Sequence, residues 1–344
     1  MRTLVLALAL LPSVAAAADL PRVRLVATGG TISNQAGGRL TAPELLASIP
    51  GLDRYVAVEA EQFSNAASSS LSLDQWLQLA RRLNEVFRAD PGLSGLVVTS
   101  GTDTLEELAY FLDLTVRDER PVVVVGSMRR PGALGYEGAA NLLEAFRAAA
   151  DPASRGKGTL VVLNDEINAA REVTKTDALR LHTFQSRGVG LLGVVDTDRV
   201  VYFRNVVRRC GALSEFDVAA IKALPRVDVL LVYQDAPGDL IKAAVDAGAK
   251  GIVLAVAGAG ATSGTQGEGI EYALRKQVVV AMSTRTGGGR IAPRPRGAAP
   301  GTPDGRARLV AAEDLSPVKA RILLMLGLAT TGDAGQIQRM FTEY

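Results

Sequence analysis

The chain holds one cysteine and one histidine in 344 residues, and each scarcity removes a class of chemistry. Cys210 has no partner for an intrachain disulfide and reads as a small structural residue. With His182 it supplies neither a metal cluster nor a Ser–His or Cys–His catalytic pair, so His182 also reads as structural. Net charge is scarce too: 38 Lys and Arg against 36 Asp and Glu leave +2. No basic stripe carries interleaved aromatics, which argues against nucleic acid as a partner. The basic, proline-rich stretch 290–306 reads as a solvated loop. The glycine pair within residues 23–32 lacks the G-x-G-x-x-G spacing of a dinucleotide turn, and no cofactor is expected. No stretch reaches the roughly 20 apolar residues of a membrane span. Internal repeats and long low-complexity tracts are absent. Any chemistry therefore falls to Thr, Lys and Asp.

What is present is apolar material. At 48% hydrophobic residues, the chain can bury a substantial core and is long enough for two domains. Arg2, the short apolar run 4–11 and the small residues 15–18 have the form of a cleavable leader. Residues 1–18 are thus expected to be a signal peptide, leaving a periplasmic or secreted protein with no membrane attachment.

Residues 23–32 (Val-Arg-Leu-Val-Ala-Thr-Gly-Gly-Thr-Ile) form an apolar, β-branched run that breaks into two glycines bracketed by threonines. Residues 95–104 (Gly-Leu-Val-Val-Thr-Ser-Gly-Thr-Asp-Thr) repeat that layout and lead into a helical pattern. Ligands of open α/β sheets bind beyond the carboxyl ends of strands, so both loops suit a site. Asp103 and Glu106 also have the spacing of a capping box. A third feature is Lys175, set between Thr174 and Thr176; a lone lysine is ordinarily a solvated surface charge.

Strand and helix patterns alternate over residues 20–205, which predicts a doubly wound, mainly parallel α/β domain. Its strands are expected at 56–63, 121–126 and 159–163 besides the two above. Its helices are expected at 41–49, 138–150 and from Ser72, with Gln75 completing a capping box, to 88. Residues 32–40 are polar and glycine-rich, a candidate lid. The domains are set at 19–205 for a larger N-terminal catalytic unit, 206–225 for a linker with one short helix, and 226–344 for a smaller α/β unit. The latter has strands at 227–233, 251–256 and 277–282 and helices at 239–247, 267–276 and 317–328.

The stretches Ala27-Thr-Gly-Gly-Thr-Ile32, Ser100-Gly-Thr-Asp-Thr-Leu-Glu-Glu107 and Val173-Thr-Lys-Thr176, in this order, resemble the bacterial-type L-asparaginase family of threonine amidohydrolases. The likeness runs from about Arg22 to the C-terminus. It implies hydrolysis of the side-chain amide of asparagine, two α/β domains, and an oligomer, a dimer of dimers, with sites where subunits meet. By position in the motifs, Thr31 is the nucleophile that forms an acyl-enzyme. Thr102, Lys175 and Asp103 form a hydroxyl–lysine–carboxylate group, in which lysine is a base only where poor solvation disfavours its charge. Asp103 also holds the substrate α-ammonium, and Ser68 matches the position for its α-carboxylate. Backbone N–H groups near Thr102 and Ser127 line an oxyanion hole.

Four positions depart from the family. Residues 32–43 lack its lid tyrosine, and Ser69 stands where a glutamine follows the carboxylate-binding serine. Ala261 falls near its intersubunit asparagine, and 287–290 (Gly-Gly-Gly-Arg) offers no acid for its intersubunit glutamate. Arg285 or Arg290 is then a candidate for the α-carboxylate. Beside asparagine hydrolysis, with or without glutaminase activity, stand two further readings: an amidohydrolase for another small amide, and an inactive periplasmic amino-acid-binding protein.

Overall fold

The computed structural model describes residues 20–293 and 308–344; the leader expected over 1–18 and most of the stretch 290–306 lie outside them. In chain order come β1 (Arg22–Gly29), the small hairpin of β2 (Asn34–Gln35) and β3 (Gly38–Arg39), α1 (Ala42–Ala47), β4 (Ala57–Ala66) and α2 (Leu73–Ala89). There follow β5 (Leu93–Thr99), α3 (Leu105–Thr115), β6 (Val122–Val125), α4 (Gly138–Ala150) and β7 (Thr159–Leu163). Short strands come next: β8 (Glu166–Ala169), β9 (Thr174–Lys175), β10 (Phe184–Gln185), β11 (Gly193–Val195) and β12 (Val200–Tyr202). The remainder is β13 (Val227–Leu231), α5 (Asp239–Asp246), β14 (Gly251–Val256), α6 (Gln266–Arg275), β15 (Val279–Thr284), β16 (Leu309–Ala311), α7 (Pro317–Thr330) and α8 (Ala334–Glu343).

Eight strands form the large sheet, in the order β12-β11-β8-β7-β6-β5-β1-β4. The five from β7 to β4 run parallel, and β8, β11 and β12 add an antiparallel edge. From β1 the chain winds outward to β4, then returns to β5 on the other side and winds away through β6 and β7. The order therefore reverses between β1 and β5, and the crevice beyond their carboxyl ends is the topological switch point where such sheets bind ligands.

Alternation along the strands explains the two covered faces. Val26, Leu96, Val98, Val122 and Val124 pack under α2 and α3, while Leu25, Ala27, Val97, Val123 and Val125 pack against α1 and α4. Helix α2 starts as its sequence predicts: Ser72 Oγ accepts from Gln75 N at 3.2 Å, and Gln75 Oε1 accepts from Ser72 N at 2.9 Å. Helix α3 does not. Its cap position is Thr104 with no side-chain bond, because the Glu106 carboxylate is engaged elsewhere, as described below.

The smaller sheet is wholly parallel, β13-β14-β15-β16. Val253, Val279 and Ala281 share one continuous core with α7, α3 and the large sheet, and α5 and α6 cover the opposite face. Strand β16 and helix α8 are additions to what the sequence patterns predict. The stretch between Tyr202 and Val227 is docked to the body: Ser214 Oγ donates to Leu114 O, and buried Phe216 lies 5.1 Å, ring centre to ring centre, from Tyr344.

Candidate active site

The first loop is shaped by two glycines that no other residue replaces without strain. Gly29 and Gly30 have φ of 107° and 94°, a region costly for any residue with a Cβ. A Cβ at Gly29 would strike the Ala66 backbone, and one at Gly30 the backbone of Ser100 and Gly101. This close approach seats the first loop on the second. Gly30 N also donates to Ala66 O at 2.9 Å, and Thr28 is tied to Thr99 through its N–H (3.1 Å) and its hydroxyl (2.6 Å).

Thr31 opens a single 3₁₀ turn, Thr31–Ser33, and is partly exposed. Carbonyls on both sides of it are held. Ser33 Oγ and Arg39 Nη1 donate to Gly30 O at 3.1 and 2.8 Å, and the Tyr136 hydroxyl donates to Ile32 O at 3.0 Å. Burial, helped by the Glu137 charge, pushes the Tyr136 phenol up to about 12, so it stays a donor. The expected lid is the β2–β3 hairpin, anchored at its base by Arg39.

The second loop gathers three sequence-predicted residues. Lys175 Nζ donates to Thr102 Oγ1 at 3.1 Å and to Asp103 Oδ1 at 2.9 Å. The Lys175 side chain is 15% exposed and that of Asp103 77%, so the lysine is enclosed while the carboxylate faces the open side. Thr102 is buried. Ser68 lies in the turn Ser68–Ser70, buried, with its Oγ 2.8 Å from where a Gly101 Cβ would stand. Ser69, next to it, is exposed. Ser127 is fully buried, and its Oγ donates to Arg129 O at 2.6 Å. Asp103, expected as a possible cap, instead pairs with Lys175.

Glu106, Lys319 and Tyr136, which hold the two loops and the lysine segment, were not legible as such. Glu106 Oε1 accepts from Thr174 Oγ1 at 3.0 Å and from Lys175 N at 3.2 Å. Lys319, in α7, is buried and donates to the carbonyls of Ala170 (2.8 Å), Arg171 (3.0 Å) and Val173. Burial pushes its ammonium down to about 8 against the opposing pull of Glu106. The one available signal was a lysine leading into the apolar run of α7.

The second sheet's loops hold differently from expectation. Arg285 Nη1 donates to Val232 O at 2.8 Å, and Arg290 bonds Glu313, so each guanidinium already has a protein partner. The stretch 287–290 does have an acid beside it: buried Glu313, brought there by the chain leaving β16. Ala261 is tied to Ala257 by paired backbone bonds. A cavity of about 330 Å³ opens between the two sheets, bordered by Arg171, Thr174, Arg187, Ser316 and Lys319; it touches the lysine strand but excludes Thr31, Thr102 and Lys175.

A partly exposed threonine on a glycine loop, packed against the loop of a Thr–Asp–Lys cluster at a sheet's switch point, gathers hydroxyl, amine and carboxylate groups in a pattern that fits a hydrolytic α/β enzyme. Comparison with known proteins makes that class specific. Residues 22–208 match the family described as Asparaginase, N-terminal, and 226–341 match the Glutaminase/Asparaginase C-terminal domain. The chain belongs to the asparaginase family. It is 41% identical over 337 residues to L-asparaginase 2 of Bacillus subtilis, covering 95% of this chain and 87% of that one. It is 36% identical over 341 residues to the probable periplasmic L-asparaginase of Haemophilus influenzae, covering 96% and 95%. The solved structure of a probable cytoplasmic L-asparaginase from Campylobacter jejuni superposes with a TM-score of 0.84 at 35% identity, covering 94% and 100%.

Proposed function

We propose that the chain hydrolyses the side-chain amide of L-asparagine to L-aspartate and ammonia through an acyl-enzyme on Thr31. The observation that carries this is the Lys175 amine held between Thr102 Oγ1 and Asp103 Oδ1, with the Thr31 loop packed directly on the loop that bears them. Thr31 Oγ1 adds to the amide carbon, and its proton passes by way of the Thr102 hydroxyl to Lys175. The tetrahedral oxyanion meets backbone N–H groups near Thr102 and Ser127. Its collapse breaks the C–N bond, and the nitrogen takes a proton as ammonia departs. Water then adds to the threonyl ester, releases aspartate and restores Thr31. Ser68 takes the substrate α-carboxylate, with Ser69 beside it, and Asp103, open on its outer side, takes the α-ammonium.

The same reading has the leader removed from residues 1–18 and the enzyme exported, a catalytic unit over 19–205, a linker at 206–225 and a second unit over 226–344. Four such chains assemble as a dimer of dimers. The matched C-terminal family description and the thin substrate shell at Ser69 and Ala261 favour glutamine as a second substrate. Purified protein should release ammonia from asparagine and more slowly from glutamine; silence on both, with a β-aspartyl peptide cleaved, would move the activity to another amide. Sedimentation at working concentration should give a tetramer, and a fully active monomer would contradict the assembly.

A further inference from the structure

We propose that Glu106 and Lys319 are positioning residues for Lys175, clasping residues 170–175 between them so that helix α7 of the C-terminal half completes the site of its own chain. The inference rests on the reading of Lys175 given above. Strand β9 needs such a clasp. It is two residues long and, among the described residues, pairs only with β10, through Phe184–Lys175 and Gln185–Thr174, outside both larger sheets. A two-residue ladder is too short to hold itself, yet a misplacement of about 1 Å in a reacting group costs on the order of 10²-fold in rate.

The clasp divides the backbone by polarity. Lys319 Nζ has three N–H donors, and all three go to carbonyls of the approach to β9, those of Ala170, Arg171 and Val173. Glu106 takes the donors: one oxygen accepts both the Thr174 hydroxyl and the Lys175 N–H, while its other oxygen is buried with no hydrogen-bond partner among the described residues. Glu106 begins the same helix whose entry loop carries Thr102 and Asp103. The backbone and the amine of Lys175 are thus fixed to a single element.

Stability alone does not account for this arrangement. A buried lysine is expensive to desolvate, and well-packed apolar replacements of buried charges are often neutral or stabilising. Lys319 is 2% exposed and makes no ion pair within salt-bridge distance among the described residues. What it does provide is three hydrogen bonds to the segment leading into the proposed base.

The test is asparagine kinetics on the full chain in two backgrounds, native and Lys175→Met. Glu106→Ala should lower kcat about tenfold or more with KM held within about threefold. Glu106→Gln, whose amide oxygen can still accept both bonds, should restore kcat to within about threefold of the native value. Lys319→Met should act like Glu106→Ala; should it fail to fold, the Glu106 pair decides alone. In the Lys175→Met background, Glu106→Ala should change kcat less than about twofold, because nothing remains to position. An equal loss in both backgrounds, an unchanged kcat in Glu106→Ala, or a failure of Glu106→Gln to restore it overturns the proposal. An unchanged kcat in Lys175→Met overturns the reading of Lys175 itself, and positioning with it.

Discussion

The two ends of the site are built on different principles. At the threonine end, position is set by backbone: glycines at positive φ allow two loops to touch, and hydrogen bonds to the Gly30 and Ile32 carbonyls brace the residue between them. At the lysine end, position is set by side chains: Thr102, Asp103 and Glu106 converge on a two-residue strand, and Lys319 holds the residues leading into it. A third region, where the substrate's α-groups would be read, has neither device. Ser69 is exposed, Ala261 presents only a methyl group, and Arg285 and Arg290 are engaged with protein partners. Within one chain, the buried polar contacts thus gather at the proposed reacting groups rather than around Ser69 and Ala261.

Removing the nucleophile is the strongest way to break the comparison. Thr31→Ala should lower kcat by about 10⁴-fold or more while leaving the thermal midpoint close to native, since a partly exposed loop side chain contributes little packing. A thermal melt beside the rate assay separates the two effects. At the lysine end, Lys175→Met keeps the stem and removes the amine, and kcat should fall about 10²-fold or more. An unaffected rate would return Lys175 to an ordinary charge.

The same contrast explains what was legible in the sequence. Residues 28–31 and 99–104 stood out because paired glycines and hydroxyls interrupt apolar runs, a local signal of a strand ending at a functional turn. The parallel sheet, α2 with its Ser72–Gln75 capping box and α4 followed from periodicity for the same reason: the information is local. Glu106 misled, since capping-box spacing after Asp103 is a local pattern that a tertiary bond to Thr174 and Lys175 overrides. Lys319 and Glu313 belong to segments far along the chain, and only folding brings them to β9 and to Arg290. Strand β16, three residues long, and the short antiparallel edge carry too little periodic pattern to be read.

Two smaller effects sharpen the third region. Asp103→Ala should lower kcat/KM for asparagine by about 2 kcal/mol, the low end for losing a desolvated charge partner, because this carboxylate is 77% exposed in the free chain and partly screened. A loss confined to asparagine, absent for substrates without an α-ammonium, would fix its role. Comparing asparagine with its N-acetyl and descarboxy analogues should show discrimination below about 10²-fold. Rejection by about 10⁴-fold would reveal a specific shell, of the kind a second subunit would have to supply.

The central claim is that Thr31 carries the acyl group. The native enzyme mixed with asparagine, quenched in acid within the first turnovers and digested for mass spectrometry, tests it most directly. A β-aspartyl increment is expected on the peptide containing Thr31, localised to that residue by fragmentation and absent from Thr31→Ala. An increment on Thr102 or any other side chain, or undiminished turnover by Thr31→Ala, would contradict it.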